Sequence, residues 1–535
     1  MDLFDEAQRY KQEKEEFVSN HGGSTSREVI MVILPSSLSI LVTATITGLI
    51  GSKLKHNRNL FPIIEFIFNI IPSILCCTIL SDHILVVCAT MMTISLINFY
   101  IIAHNPSNFK HKHHQTSRIP FVTNFRALTN ILTAICILAV DFRIFPRKFA
   151  KTEVYGYSLM DTGVGLFIIA NALVAPETRE FDFSKKISHF RKFTINARNS
   201  VKSTAPLLLL GIGRMWAIEY SNYQKHITEY GVHWNFFITL AFVKIFISTV
   251  TSAISSKYSL LSGIWIIAMH EYALSTKGLK EWVLGNAPRS DFVSANREGL
   301  VSVPGYVGLY LIGIAVGRLI YANYHPTDGK IKNPNRRIGI EAKVYGKKLA
   351  IEYNKSMILC IKLSVIAPIA CGATLLCDRY FGVSRRLANS GYCAWIITLS
   401  TAVLTLLLLV EIMIDILIQM TTEDNSDRSK LLRTNVNGDK SKKEKNRQVK
   451  FKEKETTKDE SDDGVIKKTP ELFEAVNFNG LIFFLVANLL TGIVNMRIKT
   501  LYVSSVYATC LLISYSAICI FIVFILYRFN KKIKL

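Results

Sequence analysis

An acid, a run of bases and a second acid stand together in DFRIFPRKFAKTEVYGYSLMD, residues 141–161, between the apolar runs NILTAICILAV and TGVGLFIIANALVA. A carboxylate at a membrane boundary can be tuned by desolvation and by a nearby ammonium, which is what a general base for a hydroxyl requires. Asp141 sits at a helix end, and Pro146 breaks the helix and redirects the chain. Lys151 then has two uses: it steadies Asp141, or it stabilises a developing oxyanion. On composition alone, chemistry and simple juxtamembrane pairing are equal readings of Asp141 and Lys151. For Arg147 and Lys148, pairing with neighbours and lipid phosphates is the preferred reading.

Other residues with chemical capacity are scattered along the chain. Asp161 lies a few residues into an apolar run, where a carboxylate is expensive unless paired or wet, so it is either a site residue or half of an ion pair with Arg214 or Lys244. His233, in YGVHW, is a candidate imidazole at a helix mouth, although an interfacial belt position is the commoner case. His270 and Glu271, deep in IWIIAMHEYAL, are harder to assign to an interface. Arg385 and Arg386 have the chemistry of a phosphate clamp and the frequency of an ordinary basic helix flank. The residues singled out for chemistry or substrate contact are Asp141 and Lys151, with Arg147, Lys148, Asp161, Arg214, His233, Arg385 and Arg386. HKHH at 111–114 lacks an acidic or cysteine companion and reads as basic surface. GIGRMW at 211–216 has neither the third glycine nor the preceding strand of a dinucleotide fingerprint. All ten cysteines lie in or beside apolar runs without a C-x-x-C pair, which favours buried thiols over disulfides, metal sites or an acyl-cysteine.

The elements that must position these residues are membrane helices. Half of the 535 residues are hydrophobic and the net charge is +23. Apolar runs near the ~20 residues a bilayer requires recur at 28–51, 60–80, 84–103, 124–140, 157–174, 203–220, 234–253, 258–276, 299–320, 356–377, 391–419, 478–496 and 501–527. The fold class is an all-α polytopic membrane protein with about thirteen transmembrane helices in one bundle. The N-terminal MDLFDEAQRYKQEKEEF carries both charges and no short apolar core, so no removable signal peptide is expected. Loops on the C-terminal side of an alternating topology carry 40 Lys/Arg against 18 on the other. The positive-inside rule then places the N-terminus in the lumen and the C-terminus in the cytosol. Four regions result: a lumenal segment 1–27, helices within 28–419, a charged loop 420–477 with too few apolar residues to form a core, and two last helices with a short tail in 478–535. The polar words at 17–25, 141–161, 223–237, 296–310 and 381–392 all fall at lumenal loops or the helix ends facing them, so a lumenal site is the economical inference.

FPRKFAKTEVYGYSLMDTGVG, EYGVHWNFF, NREGLVSVPGY, VSRRLANSGY and NLLTGIVN, in this order, resemble the inositol acyltransferase family of glycosylphosphatidylinositol (GPI) anchor biosynthesis, over about residues 17–510. The resemblance implies transfer of a fatty acyl group, chiefly palmitoyl, from acyl-CoA to the inositol ring of glucosaminyl-phosphatidylinositol in the endoplasmic reticulum membrane. It also implies that an Asp and a Lys ten residues apart around FPRKFAK form the catalytic pair, here Asp141 and Lys151. Arg214, Lys244 and Lys362 become candidates for the donor's phosphates. No metal or cofactor is implied, and the partners expected are acyl-CoA, glucosaminyl-phosphatidylinositol and membrane lipid, with no nucleic acid. The terminal KKIKL has its lysine pair one place too early for a dilysine retrieval signal, so the location rests on the family. The rival class, a polytopic lipid transporter or flippase, accounts for many helices with intramembrane charges. A membrane scaffold would need no buried acid near a base.

Overall fold

Long apolar runs in a chain that must satisfy every backbone amide internally become helices, and the computed structural model is built from them. It describes residues 2–19, 21–51, 57, 59–104, 118–179, 189–220, 227–276, 278–324, 339–344, 347–352, 355–436 and 466–533. The main helices are α1 (Asp2–Val18), α2 (Ser26–Gly51), α3 (Leu60–Cys77, with a π-helical turn at Phe66–Ile70), α4 (Ile84–His104), α5 (Pro120–Ala139), α6 (Leu159–Ala172), α7 (His189–Tyr220) and α8 (Phe236–Ala253). They continue as α9 (Ser259–Thr276), α10 (Arg297–Tyr324), α11 (Lys355–Phe381), α12 (Ser390–Val436), α13 (Glu471–Phe478), α14 (Gly480–Arg497) and α15 (Ser505–Arg528). Among the described residues ten helices are long and apolar enough to cross a membrane. The expected spans at 157–174, 203–220 and 258–276 are helical as well, in α6, α7 and α9, but α6 is short and the other two do not reach that standard of hydropathy.

Without a hydrophobic force between helices in lipid, packing relies on small residues and interhelical polar bonds. Helix α2 shows both. Ser36 meets Ser73 of α3 at 2.9 Å, Ser39 donates to Asn69 at 3.1 Å, and Thr43 and Thr47 return their hydroxyls to carbonyls of their own helix. Helices α9 and α10 touch through glycines: a Cβ on Gly263 would lie 2.8 Å from the Gly308 carbonyl oxygen. A two-stranded antiparallel ribbon, Gly339–Val344 with Lys347–Glu352, lies outside the helical pattern that the apolar runs predict, in the basic loop after α10.

The charged loop 420–477 is only partly as expected. Helix α12 continues to Val436, residues 437–465 lie outside the described residues, and the chain from Ile466 onward is packed. Glu65 of α3 accepts the Glu471 and Leu472 amides at 2.9 Å each, Asn124 donates to the Lys468 carbonyl, and Ile466, Leu472 and Phe473 are buried. The last dozen residues of the predicted loop therefore belong to the core, because Leu472, Phe473, Ala475 and Val476 give α13 an apolar face. Replacing 437–465 by a short flexible linker is expected to leave stability unchanged. Extending the replacement through 478 should lose the fold, as read by detergent thermal unfolding and yield.

Candidate active site

The polar words at 17–25, 141–161, 223–237, 296–310 and 381–392 meet at one end of the bundle. The Ser24 amide donates to the Tyr157 carbonyl at 2.6 Å, the Glu153 amide to His21, the Gly156 amide to Val383, and the Val232 amide to Ala295. Gly156 and Gly231 have φ of +131° and +115°, and a Cβ on either would strike backbone 2.5 Å away, so these crossings need glycine.

The 141–158 connection is a folded loop whose anchors are aromatic. Phe142, Phe145, Phe149 and Ala150 are fully buried, and Arg147–Phe149 form a 3₁₀ turn after Pro146. Arg147 holds this turn from inside: its guanidinium donates to the carbonyls of Val140, Phe142 and Phe145 and stacks 4.0 Å over Phe17. Burial pushes its pKa down to about 10, against the pull of Asp141, so it stays charged at neutral pH. Arg147 thus finds its partners in the loop's own carbonyls. Lys148 bridges Glu28 at 3.1 Å and Asp82 at 3.2 Å at the surface. Neither Arg147 nor Lys148 reaches the cavity described next.

Asp141 and Lys151 both line one cavity of about 850 Å³, whose walls are α5, α6, α7, α14 and the segment 228–237. Asp141 is 4% exposed. One of its oxygens lies 3.4 Å from Lys14 Nζ of α1, and the other accepts from Asn495 Nδ2 of α14 at 2.7 Å. Lys151 Nζ donates to Glu229 at 2.7 Å, so it is held by Glu229 rather than by Asp141. Arg385 reaches the second Glu229 oxygen at 3.2 Å and Asp161 at 2.8 Å. The partner of Asp161 is thus Arg385, not Arg214 or Lys244, and Thr152 completes it with an amide and a hydroxyl at 3.0 and 2.7 Å. Burial opposes the Arg385 charge, yet Glu229 and Asp161 beside it hold the guanidinium well above its ordinary pKa. The result is a chain of alternating charges, Lys151, Glu229, Arg385, Asp161, along the polar end of a mostly apolar chamber.

The remaining candidates separate. Arg214 and His233 are exposed side chains on the cavity wall, and the His233 amide donates to Asn296 at 2.8 Å. Arg386 points away, to Glu298 at 2.9 Å, where Arg289 also binds at 2.5 Å. His270 meets the Leu387 carbonyl at 3.0 Å and Glu271 accepts the Ser390 amide at 2.8 Å, so both pin the 382–390 loop. Lys244 is exposed outside the cavity, and Lys362 donates to Asn323. HKHH at 111–114 lies outside the described residues. Among the described residues no cluster of three His, Cys, Asp or Glu side chains could hold a metal. Lys14, Glu229 and Asn495 were missed by sequence reasoning. Glu229 and Asn495 stand inside the quoted words EYGVHWNFF and NLLTGIVN, whereas Lys14 lies in a charged helix with nothing to distinguish it from its neighbours.

The chamber also opens sideways. Leu209 of α7 and Leu489, Ile493 and Met496 of α14 line it and are 70, 59, 51 and 66% exposed. Gly213 and Gly492, on the same two helices, face open space where a Cβ would be. An apolar wall that is both cavity and outer surface is a lateral gap toward lipid between α7 and α14.

A family model described as GWT1 matches residues 10–526. A Bos taurus protein named glucosaminyl-phosphatidylinositol-acyltransferase PIGW is 32% identical, covering 98% of this chain and 99% of its own length. The Saccharomyces cerevisiae GPI-anchored wall transfer protein 1 is 30% identical over the same shares, and the Dictyostelium discoideum phosphatidylinositol-glycan biosynthesis class W protein 28%. The match spans the loop that carries Asp141 and Lys151 and every helix around the chamber, and the chain belongs to the GWT1 family.

Proposed function

We propose that the chain is an O-acyltransferase of GPI-anchor biosynthesis, moving a fatty acyl group, chiefly palmitoyl, from acyl-CoA to an inositol hydroxyl of glucosaminyl-phosphatidylinositol. The observation that carries the reading is a buried carboxylate and an ammonium on the wall of one apolar chamber that opens to lipid. Asp141 takes the hydroxyl proton as the inositol oxygen bonds to the thioester carbonyl carbon. Lys151 Nζ holds the negative charge that develops on the carbonyl oxygen, and Glu229 keeps that ammonium in place. Collapse breaks the carbon–sulfur bond, and Asp141 returns its proton to the departing thiolate. The step as written needs only donor, acceptor and these side chains. Phe167, Phe236 and Phe484, with ring centroids 5.4 to 5.6 Å apart, supply apolar wall for an acyl chain, and Arg214 and His233 at the wall suit a phosphate. A flippase reading finds less support, since the relatives' names include an acyltransferase and none a transporter.

The decisive measurement is transfer from labelled palmitoyl-CoA to a glucosaminyl-phosphatidylinositol analogue by the purified protein; absence of product from well-folded protein overturns the reading. The lateral gap gives a second test. Gly492→Trp should fill the gap and raise KM for the lipid acceptor several-fold or more, while Gly492→Ala stays near the parent; equal KM values would show that the acceptor enters elsewhere.

The family supports residence in the endoplasmic reticulum membrane, and the charge bias supports an N-terminus and a site in the lumen with the C-terminus in the cytosol. A cysteine introduced at 440 is expected to react with an impermeant maleimide in right-side-out sealed microsomes. Reaction only after permeabilisation inverts the topology.

A further inference from the structure

We infer that Lys14, on the N-terminal helix α1, is a positioning residue of the reaction centre: with Asn495 it fixes the Asp141 carboxylate in the orientation that accepts the inositol proton. The inference rests on the reading of Asp141 as general base. Three side chains from distant parts of the sequence close a ring. Lys14 Nζ donates to Asn495 Oδ1 at 2.6 Å and lies 3.4 Å from Asp141 Oδ1, while Asn495 Nδ2 donates to Asp141 Oδ2 at 2.7 Å. The lysine thereby sets which end of the amide faces the acid, because an ammonium has only donors and must meet the amide oxygen. Each carboxylate oxygen keeps one partner, which leaves lone pairs on both for an incoming hydroxyl.

The burial of Lys14 is the unusual feature. Helix α1 is charged and largely exposed, and of its residues 8–18 Lys14 alone is buried, at 8% exposure. A lysine so placed is costly unless its charge is matched, and the matching acid is the one on the cavity wall. Docking of α1 does not depend on this lysine. Tyr10 bonds Thr500 at 3.3 Å, Tyr502 donates to Glu13, and Phe17 lies under the Arg147 guanidinium. Val18, one turn on, lines the chamber itself, so α1 closes the Asp141 end. A segment that the sequence shows only as a charged N-terminal stretch thus reaches the cavity.

The test uses the full-length protein in lipid nanodiscs, with palmitoyl-CoA and a glucosaminyl-phosphatidylinositol analogue, and measures kcat, KM for each substrate and the thermal midpoint. Lys14→Met keeps the stem and removes the charge. It should lower kcat about 10- to 100-fold, the range for a misplaced catalytic group, leave KM near the parent value and keep α1 docked. Lys14→Arg should recover most of the rate. Asn495→Ala, which keeps the lysine beside Asp141, should lose about 10-fold in kcat by the same loss of orientation, and it carries the test if Lys14→Met does not fold. Parental kcat in Lys14→Met, or in a folded Asn495→Ala, overturns the inference, and so does a loss that Lys14→Arg does not repair. Asp141→Asn, run alongside, separates the two failures. If it is inactive while Lys14→Met is normal, only the positioning role falls; if it is active, the general-base reading falls first.

Discussion

Asp141→Asn is expected to abolish most acyl transfer while the protein remains folded and inserted. The substitution keeps the shape and the acceptor toward Lys14 but removes the base, and general-base catalysis by a positioned side chain contributes about 10²–10⁴-fold. Among the described residues the Asp141 side chain is bonded to Asn495 and Lys14, so the amide turns a donor toward Asn495 and leaves the buried Lys14 charge unmatched, and the thermal midpoint is read beside the rate. Lys151→Ala should be comparably damaging, because it removes the cation near the developing oxyanion and leaves Glu229 paired with Arg385. If acid and ammonium act as one unit, the double variant is scarcely worse than either single variant. The measurement is single-turnover transfer at matched protein level. Near-normal turnover in Asp141→Asn would transfer attention to Glu153, Glu229 and His233, which also stand on the cavity wall.

Arg385→Met is expected to have the largest effect on stability. Arg385 is buried between Asp161 and Glu229, with its guanidinium 5.8 Å from the Tyr230 ring, and methionine would leave Asp161 a buried carboxylate with no cation. Breaking a buried pair by removing one partner costs about 3–5 kcal/mol. Glu229 retains Lys151, so the damage should concentrate on Asp161. Adding Asp161→Asn to Arg385→Met should therefore recover part of the lost stability, since the unpaired charge disappears while Thr152 still donates to the side chain. The reading is thermal unfolding in detergent of the two single variants and the double variant. A parental midpoint in Arg385→Met would mean that the cation is dispensable to the fold.

What the residues determined by themselves was the class and the neighbourhood. A chain with apolar runs of bilayer length can only be a helical membrane protein, because its backbone must be satisfied within each span. Polar words placed at alternate helix ends had to gather at one end, and the crossings from Ser24 to Tyr157 and from Gly156 to Val383 are that gathering. Composition left Asp141 and Lys151 even between chemistry and pairing, and it was the resemblance around FPRKFAK that singled them out. Partners were not legible. Asp161 chose Arg385, more than two hundred residues away, over Arg214 in the next long helix, because Arg385 is carried into the chamber by a loop that lies against α10 where Gly305 allows backbone contact. Arg385 and Arg386 are adjacent in sequence and diverge in space, one to Asp161 and Glu229, the other to Glu298. Lys14, Glu229 and Asn495 could not be chosen by type or spacing from the lysines, glutamates and asparagines around them. Charge pairing in a low-dielectric interior depends on ångström distances between elements remote in sequence, and only the packing of the helices sets those distances.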